Sequence, residues 1–309
     1  MKLLGIHHIT AICGAPAPNV AFYTRVLGQR MIKRTVNFDD PGSWHLYYGD
    51  STGSPGTVLT FFPHPGLASG SAGAGEMSVL SYAIPSGTMD YWQERLREHG
   101  IESSLSAPRL GEQRLSLRDP DGMGIELIEV ARTASTQPWA GSDVPAECAL
   151  GTFHGAVFLQ RDAAPTIDLL VGSMGAKLGP SEGPRQRVLV GDGDDAAYID
   201  IKSDPELPKG VVGAGSVHHI AWRVENDEAQ ALARKELLAA GCFVSPVRDR
   251  NYFHSIYFRE PGGILFEIAT DPPGFLVDET IDSLGSELRL PPQYEPHRAR
   301  IEAALPPLK

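Results

Sequence analysis

Short apolar runs and amphipathic stretches alternate along this chain in an order that repeats. Residues 6–12 read as a strand, residues 19–27 as a helix that Gly28 is suited to stop, and residues 44–48 and 57–62 as two further strands. The order returns from about residue 77 to 130, with a strand at 79–84, a helix at 89–99 ended by Gly100, and a closing strand at 124–130. A third pass has a strand at 153–158, a helix near 164–171 and a strand at 197–201. A fourth has a strand at 217–224, a helix at 227–240 ended by Gly241, and strands at 255–258 and 263–269. Each pass is a βαβββ unit, so the chain predicts an α+β protein of four such modules paired into two open, curved, barrel-like halves.

Two anchors make the register between modules checkable. Asp119-Pro120-Asp121-Gly122 precedes Glu126, and Glu260-Pro261-Gly262-Gly263 precedes Glu267; in both, the carboxylate lies six positions after the proline. A Pro-Gly turn feeding a strand is common, but the same offset to a carboxylate in two modules is much rarer. The second anchor is a histidine doublet. Gly5-Ile6-His7-His8-Ile9-Thr10 of module one returns 211 positions later as Ser216-Val217-His218-His219-Ile220-Ala221 of module four. The Gly- and Ser-rich residues 69–75 and the stretch 131–149 read as linkers. The expected division is an N-terminal half over 1–140 with modules one and two, a C-terminal half over 150–275 with modules three and four, and a Pro-rich tail over 276–309. The tail shows one short helical pattern at 297–304 and is expected to pack over the body or to mediate contact between subunits of a homo-oligomer.

Composition narrows the classes. With 42% hydrophobic and 21% charged residues the chain is globular. Its formal charge of −11 argues against nucleic acid, which needs clustered Lys and Arg. No apolar run is long enough to span a membrane, and the first residues meet two histidines before they could form a signal-peptide core. Cys13, Cys148 and Cys242 are odd in number and lack metal spacing, as expected of a cytoplasmic protein.

The chemistry lies in the doublets. Alternation along a strand sends neighbours to opposite faces, which puts His8 with Thr10 and His219 with Ala221 and Arg223 on the more polar, concave face. Glu267 shares the corresponding face of the closing strand with Leu265 and Ala269. Two imidazoles and a carboxylate on a concave sheet suit a divalent metal with positions left for substrate. By the same alternation His7 and His218 point away, and could act only from the edge or end of the strand. His154 aligns with His219 and offers an alternative: His154, His219 and Glu267 would be equally complete if modules three and four shared a cleft. The doublets, present only in modules one and four, favour His8. Glu126 lacks a histidine partner in its module and reads as structural; His45 and His254 read as structural or peripheral, though either could edge the pocket, and His64, His99 and His297 as solvated.

The module grammar, Phe22-Tyr23 before Leu27-Gly28, and Pro261-Gly262-Gly263 before Phe266-Glu267 resemble the vicinal oxygen chelate superfamily of glyoxalases, extradiol dioxygenases and bleomycin-resistance proteins. The longer matches are His7-His8-Ile9-Thr10, Gly28-Gln29-Arg30, Trp44-His45-Leu46-Tyr47-Tyr48, Pro55-Gly56-Thr57, and Arg250-Asn251-Tyr252-Phe253 with Ile256-Tyr257-Phe258-Arg259-Glu260-Pro261-Gly262-Gly263. These resemble the ring-cleaving dioxygenases of the hydroquinone type over roughly residues 3–275. The resemblance implies Fe(II), with Mn(II) as the alternative, held by His8, His219 and Glu267. It implies supporting catalytic roles for His7, Thr10, Arg250 and Tyr257, and His218 joins them as the counterpart of His7. The substrates it implies are a small aromatic, for which Trp44, Tyr252 and Phe253 are candidate walls, and O₂. Two rivals use the same fold: a glyoxalase-type isomerase or lyase, disfavoured because Phe61 or Phe62 stands where a second carboxylate ligand would be, and a non-enzymatic protein that binds small aromatics.

Overall fold

The computed structural model describes residues 1–131, 136–193 and 196–308. The expected linker at 131–149 therefore falls partly outside the described residues. Module one contributes β1 (Ile6–Cys13), α1 (Pro16–Ala21), β2 (Arg30–Asn37), β3 (Asp40–Gly49) and β4 (Val58–Pro63). Module two contributes β5 (Glu76–Pro85), α2 (Met89–Glu98), β6 (Ser103–Arg109), β7 (Glu112–Arg118) and β8 (Gly124–Val130). Module three follows with β9 (Phe153–Gln160), α3 (Ala164–Gly172), β10 (Lys177–Glu182), β11 (Arg185–Val190) and β12 (Ala197–Ser203). Module four has β13 (Val217–Val224), α4 (Asp227–Ala239), β14 (Arg248–Asp249), β15 (Phe253–Arg259) and β16 (Leu265–Pro273).

The modules pair across the chain. One eight-stranded sheet runs β14-β15-β16-β13-β1-β4-β3-β2 and joins module one to module four; the other runs β10-β11-β12-β9-β5-β8-β7-β6 and joins two to three. The halves named along the sequence are thus bridged by both sheets. Each first strand pairs antiparallel with another first strand, β1 with β13 and β5 with β9, and parallel with its own module's last. An apolar core that includes Ile9, Tyr23, Phe61, Trp92, Trp222 and Phe266 runs through both halves.

The crossings are tight. Residues 69–75, between modules one and two, lie against residues 209–214, between modules three and four, with bridges Ser69 to Ala214, Ser71 to Val211 and Ala74 to Lys209. A Cβ on Gly73 would stand 2.5 Å from the Pro208 carbonyl, so the glycine permits an approach that any side chain would block. The expected linker is therefore a paired crossover.

Strands β2, β6, β10 and β14 bound the two sheets and escape the apolar pattern: β6 and β10 are mostly exposed edges carrying Pro108 and Pro180, while β2 is buried but places Lys33 beside Asp278 and Glu279. The first helix begins at Pro16, three residues earlier than its apolar pattern suggests, since proline suits the first helical turn; it continues as a π-helical turn over Phe22–Val26. The tail, with its helix α5 (Arg298–Ala304), packs on the β2–β3 edge. Trp44 Nε1 donates to the Pro306 carbonyl at 2.7 Å and Tyr294 Oη to that of Phe38 at 2.8 Å. No helix among the described residues is long and apolar enough to cross a membrane.

Candidate metal centre

The central pair β1–β13 carries two irregularities, one at each doublet. Ile6 faces Trp222 and His8 faces Ala221, so two steps along β1 match one along β13 and His7 is the extra residue. Further on, Thr10 faces His219 and Ala11 faces Val217, making His218 the extra residue on β13. These are β-bulges, which re-aim side chains and bend the strand. They overturn the expectation that His7 and His218 point to the opposite face. His7 Nδ1 lies 2.9 Å from His8 Nδ1, and His218 Nδ1 lies 2.8 Å from His219 Nδ1. His7 is buried with its ring against Phe253, while His218 faces the cavity beside Phe62.

Three ligand atoms converge below the doublets. His219 Nε2 is 2.9 Å from Glu267 Oε2, His8 Nε2 is 3.5 Å from the same oxygen, and the two Nε2 atoms are 3.4 Å apart. All three side chains are buried. The other carboxylate oxygen, Oε1, accepts the Ser255 hydroxyl in a short hydrogen bond, and Oε2 is left without a donor. Burial holds the imidazole of His219 below its ordinary pKa although Glu267 opposes the shift, and burial with the neighbouring His219 pushes His218 down to about 3. These two imidazoles are accordingly neutral at neutral pH. Assigning protons from the bonding network, the Nδ1 atoms of His8 and His219 donate to their neighbours, and both Nε2 lone pairs face Oε2. Three lone-pair donors this close, out of water, repel unless a cation lies between them. His₂Glu with open positions is a donor set that fits a divalent metal. Among the described residues no other group of three or more His, Cys, Asp or Glu side chains converges in this way.

Above these residues opens a cavity of about 400 Å³. Arg250 and Tyr257 stand on its wall: Arg250 Nε donates to Tyr257 Oη at 3.1 Å, and Arg250 Nη2 pairs with Asp39 at 3.2 Å. Burial works against the Arg250 charge, but Tyr257 and Asp39 more than offset it. Burial and Glu267 raise the Tyr257 phenol, which stays protonated. Because its oxygen accepts from Arg250, its own proton is free for another acceptor. Thr10 lies behind the wall, sharing a 2.7 Å hydrogen bond with Thr60, which bonds His45 Nε2 at 2.8 Å; His45 Nδ1 in turn bonds Tyr47 Oη at 2.8 Å.

Several expectations are corrected here. His64 lines the cavity, where the sequence placed it as solvated, and of the two histidines expected to be structural or to edge the pocket, His45 lines it. Trp44 turns to the tail, and Tyr252 is buried behind Phe253, which does line the cavity. His154 sits in the other sheet and bonds Glu112 at 2.8 Å, because modules three and four do not share a sheet; it is not brought to Glu267. Glu126, the counterpart of Glu267, is bound by Arg109 at 2.6 Å and Arg114 at 2.7 Å, and Arg109 also reaches Asp200 at 2.7 Å. A guanidinium there neutralises the carboxylates. Ser255 and Asp39 were not singled out in the sequence, and Tyr47 only as part of the Trp44–Tyr48 match, since each acquires its position through cross-strand register or a loop contact.

Comparison with known proteins adds the following. The family model described as the Glyoxalase/Bleomycin resistance protein/Dioxygenase superfamily matches residues 5–127 and 157–268, each match spanning two modules. MhqO of Bacillus subtilis (strain 168), named as a candidate ring-cleaving dioxygenase, is 46% identical over 308 residues, covering 100% of this chain and 97% of its own. The chlorohydroquinone/hydroquinone 1,2-dioxygenase of Sphingobium indicum is 36% identical over 300 residues, covering 95% and 93%. Among solved structures, a candidate dioxygenase from Bacillus subtilis superposes with a TM-score of 0.96 at 46% identity over 100% of this chain and 98% of that one. Glyoxalase I of Zea mays, 13% identical, superposes with a TM-score of 0.64 over 86% and 92%, a likeness of fold.

Proposed function

The chain belongs to the glyoxalase/bleomycin resistance protein/dioxygenase superfamily and is a ring-cleaving dioxygenase, and from that premise we propose that it opens hydroquinone-like rings in the extradiol manner with Fe(II) held by His8, His219 and Glu267. The observation that carries this reading is the approach of two Nε2 atoms and one undonated carboxylate oxygen within 3.5 Å of one another at the floor of a cavity large enough for a single-ring phenol. Iron at that place supplies the electron exchange by which O₂ reacts with a closed-shell ring.

The chain's own groups have separable tasks. His7 and His218 hold the remote nitrogens of the two ligand imidazoles, which orients the rings and keeps Nε2 unprotonated. Thr10 tethers β1 to β4 through Thr60 beside His219. Arg250 receives negative charge developing on substrate oxygens, and the Tyr257 phenol donates its remaining proton to one of them. His218, whose Nδ1 accepts from His219, keeps its proton on Nε2 and stands on the cavity wall as a donor to a substrate oxygen. Phe62 and Phe253 give a flat ring apolar faces to lie against.

The test is anaerobic reconstitution with Fe(II), and in parallel Mn(II), followed by oxygen uptake with hydroquinone, catechol and a methylglyoxal–thiol adduct. Uptake with hydroquinone, one O₂ per ring opened, is expected. Turnover of the adduct without oxygen would favour a glyoxalase activity, and binding of aromatics without any turnover would leave only a binding protein.

A further inference from the structure

The C-terminal tail contacts the turn that carries Arg250 through one carboxylate. Asp278 Oδ2 accepts the Tyr252 hydroxyl at 3.0 Å, and its Oδ1 accepts Lys33 Nζ at 2.6 Å. Tyr252 is buried, and its backbone N–H donates to the Arg250 carbonyl at 2.8 Å, while Gly274 N–H donates to the Tyr252 carbonyl at 2.9 Å. Between them Asn251 adopts a φ of +64°, a left-handed conformation that persists only when its surroundings hold it. Phe275 lies against Tyr252 with ring centres 5.1 Å apart and against the cavity residue Tyr47 at 5.4 Å.

The tail is itself fastened. The ammonium of Lys33, fully buried on β2, bonds the Phe275 carbonyl at 3.2 Å, Asp278, and Glu279 in a short contact. Every hydrogen bond the structure gives this ammonium ends on residues 275–279. A buried charge strands at high cost if its partners leave, so the segment 275–279 is held against the body. Glu279 is buried and neutralises Lys33 from within, whereas the side chain of Asp278 is 34% exposed and also spans to Tyr252. The two carboxylates are therefore not redundant.

We propose that Asp278 is a positioning residue for Arg250: through Tyr252 it sets the turn 250–253, and so the place of the guanidinium that faces the substrate. This rests on the role given to Arg250 above. The geometry supports a mechanical coupling because the contacts run without a gap from Asp278 to the Tyr252 hydroxyl, along the Tyr252 backbone to Arg250, and on to Tyr257.

The experiment uses the full-length, Fe(II)-loaded protein with Asp278→Ala, Tyr252→Phe and Arg250→Gln, singly and as pairs with Arg250→Gln. Each single tail-side variant is expected to lower kcat/KM for hydroquinone about 10-fold, the scale of a sub-ångström misplacement, with iron content unchanged. In the Arg250→Gln background the same changes lower it less than about 2-fold, because their target is already gone. A second readout needs no turnover: amide hydrogen exchange of residues 249–257 is expected to quicken in Asp278→Ala. Equal losses with and without Arg250, or exchange and kcat/KM both at parental values, would overturn the proposal. Quickened exchange in a protein that never turns over hydroquinone would sink the functional reading and leave the coupling between tail and turn intact.

Discussion

His218 Nδ1 lies 2.8 Å from His219 Nδ1, two adjacent residues on one strand whose rings share a hydrogen bond because a bulge places them on the same side. His7 and His8 repeat the relationship at 2.9 Å. Each ligand candidate thus carries its own orienting partner as its immediate neighbour in sequence.

Removing that partner tests its role. His218→Phe keeps a ring of similar size and deletes the nitrogen that bonds His219. Metal affinity is expected to fall about 10- to 100-fold, the usual cost of losing a group that orients a ligand histidine. Titration of the apo protein with Fe(II), or with Co(II) followed by absorbance, measures it, and unchanged affinity would count against the role.

Metal removal has a signed effect on stability. A cation that binds only the folded chain raises its Tm, so chelation is expected to lower the Tm of the parent protein. In Glu267→Gln the amide can donate toward an imidazole nitrogen, relieving the repulsion among three acceptors, and the metal-dependent rise is expected to vanish. Differential scanning calorimetry with and without Fe(II) under nitrogen reads both.

The pairing of modules is tested by two alanine variants. His8→Ala is expected to lose bound iron, while His154→Ala keeps it, since His154 bonds Glu112 in the other sheet. Iron retained by His8→Ala and lost by His154→Ala would reverse the assignment.

The second sheet predicts a pH effect. Burial alone would raise Glu112, but the hydrogen bonds from His154 and Arg187 prevail and hold it down to about 2. Its folded pKa lies below the unfolded value of 4.5, so the stability it contributes is present above that value and lost as the pH falls through about 4.5 toward 2. Urea midpoints are expected to drop across this window more steeply in the parent than in Glu112→Gln.

The tail predicts the largest single loss. Glu279→Gln leaves the buried Lys33 ammonium with the partly exposed Asp278 as its remaining carboxylate. Breaking a buried pair costs about 3–5 kcal/mol, and Asp278 brings the expectation here to the lower end of that range. Chemical denaturation with a linear fit measures the difference.

What the sequence alone determined is periodic and repeated. Alternation and helical spacing placed the central strands and the helices, since a buried face must repeat with the geometry of its element. Duplication then singled out His8, His219 and Glu267, because a polar residue kept in register on an apolar strand stands out against its neighbours. What only the tertiary structure decided depends on register and on contacts between distant segments. A bulge is one extra residue relative to a partner strand, and no periodicity along β13 could reveal that His218 would turn toward the cavity. The doublets already favoured pairing module one with module four, as the sheet order has it, but the turn of His45 and His64 into the wall and the seating of Asp278 on Tyr252 join residues through packing. The edge strands β6, β10 and β14 stayed silent because solvent relaxes the demand for apolar residues, and β2 because its buried Lys33 finds its partners only in a distant segment of the chain. The doublet that announces the site in the sequence is bent into it only by its partner strand.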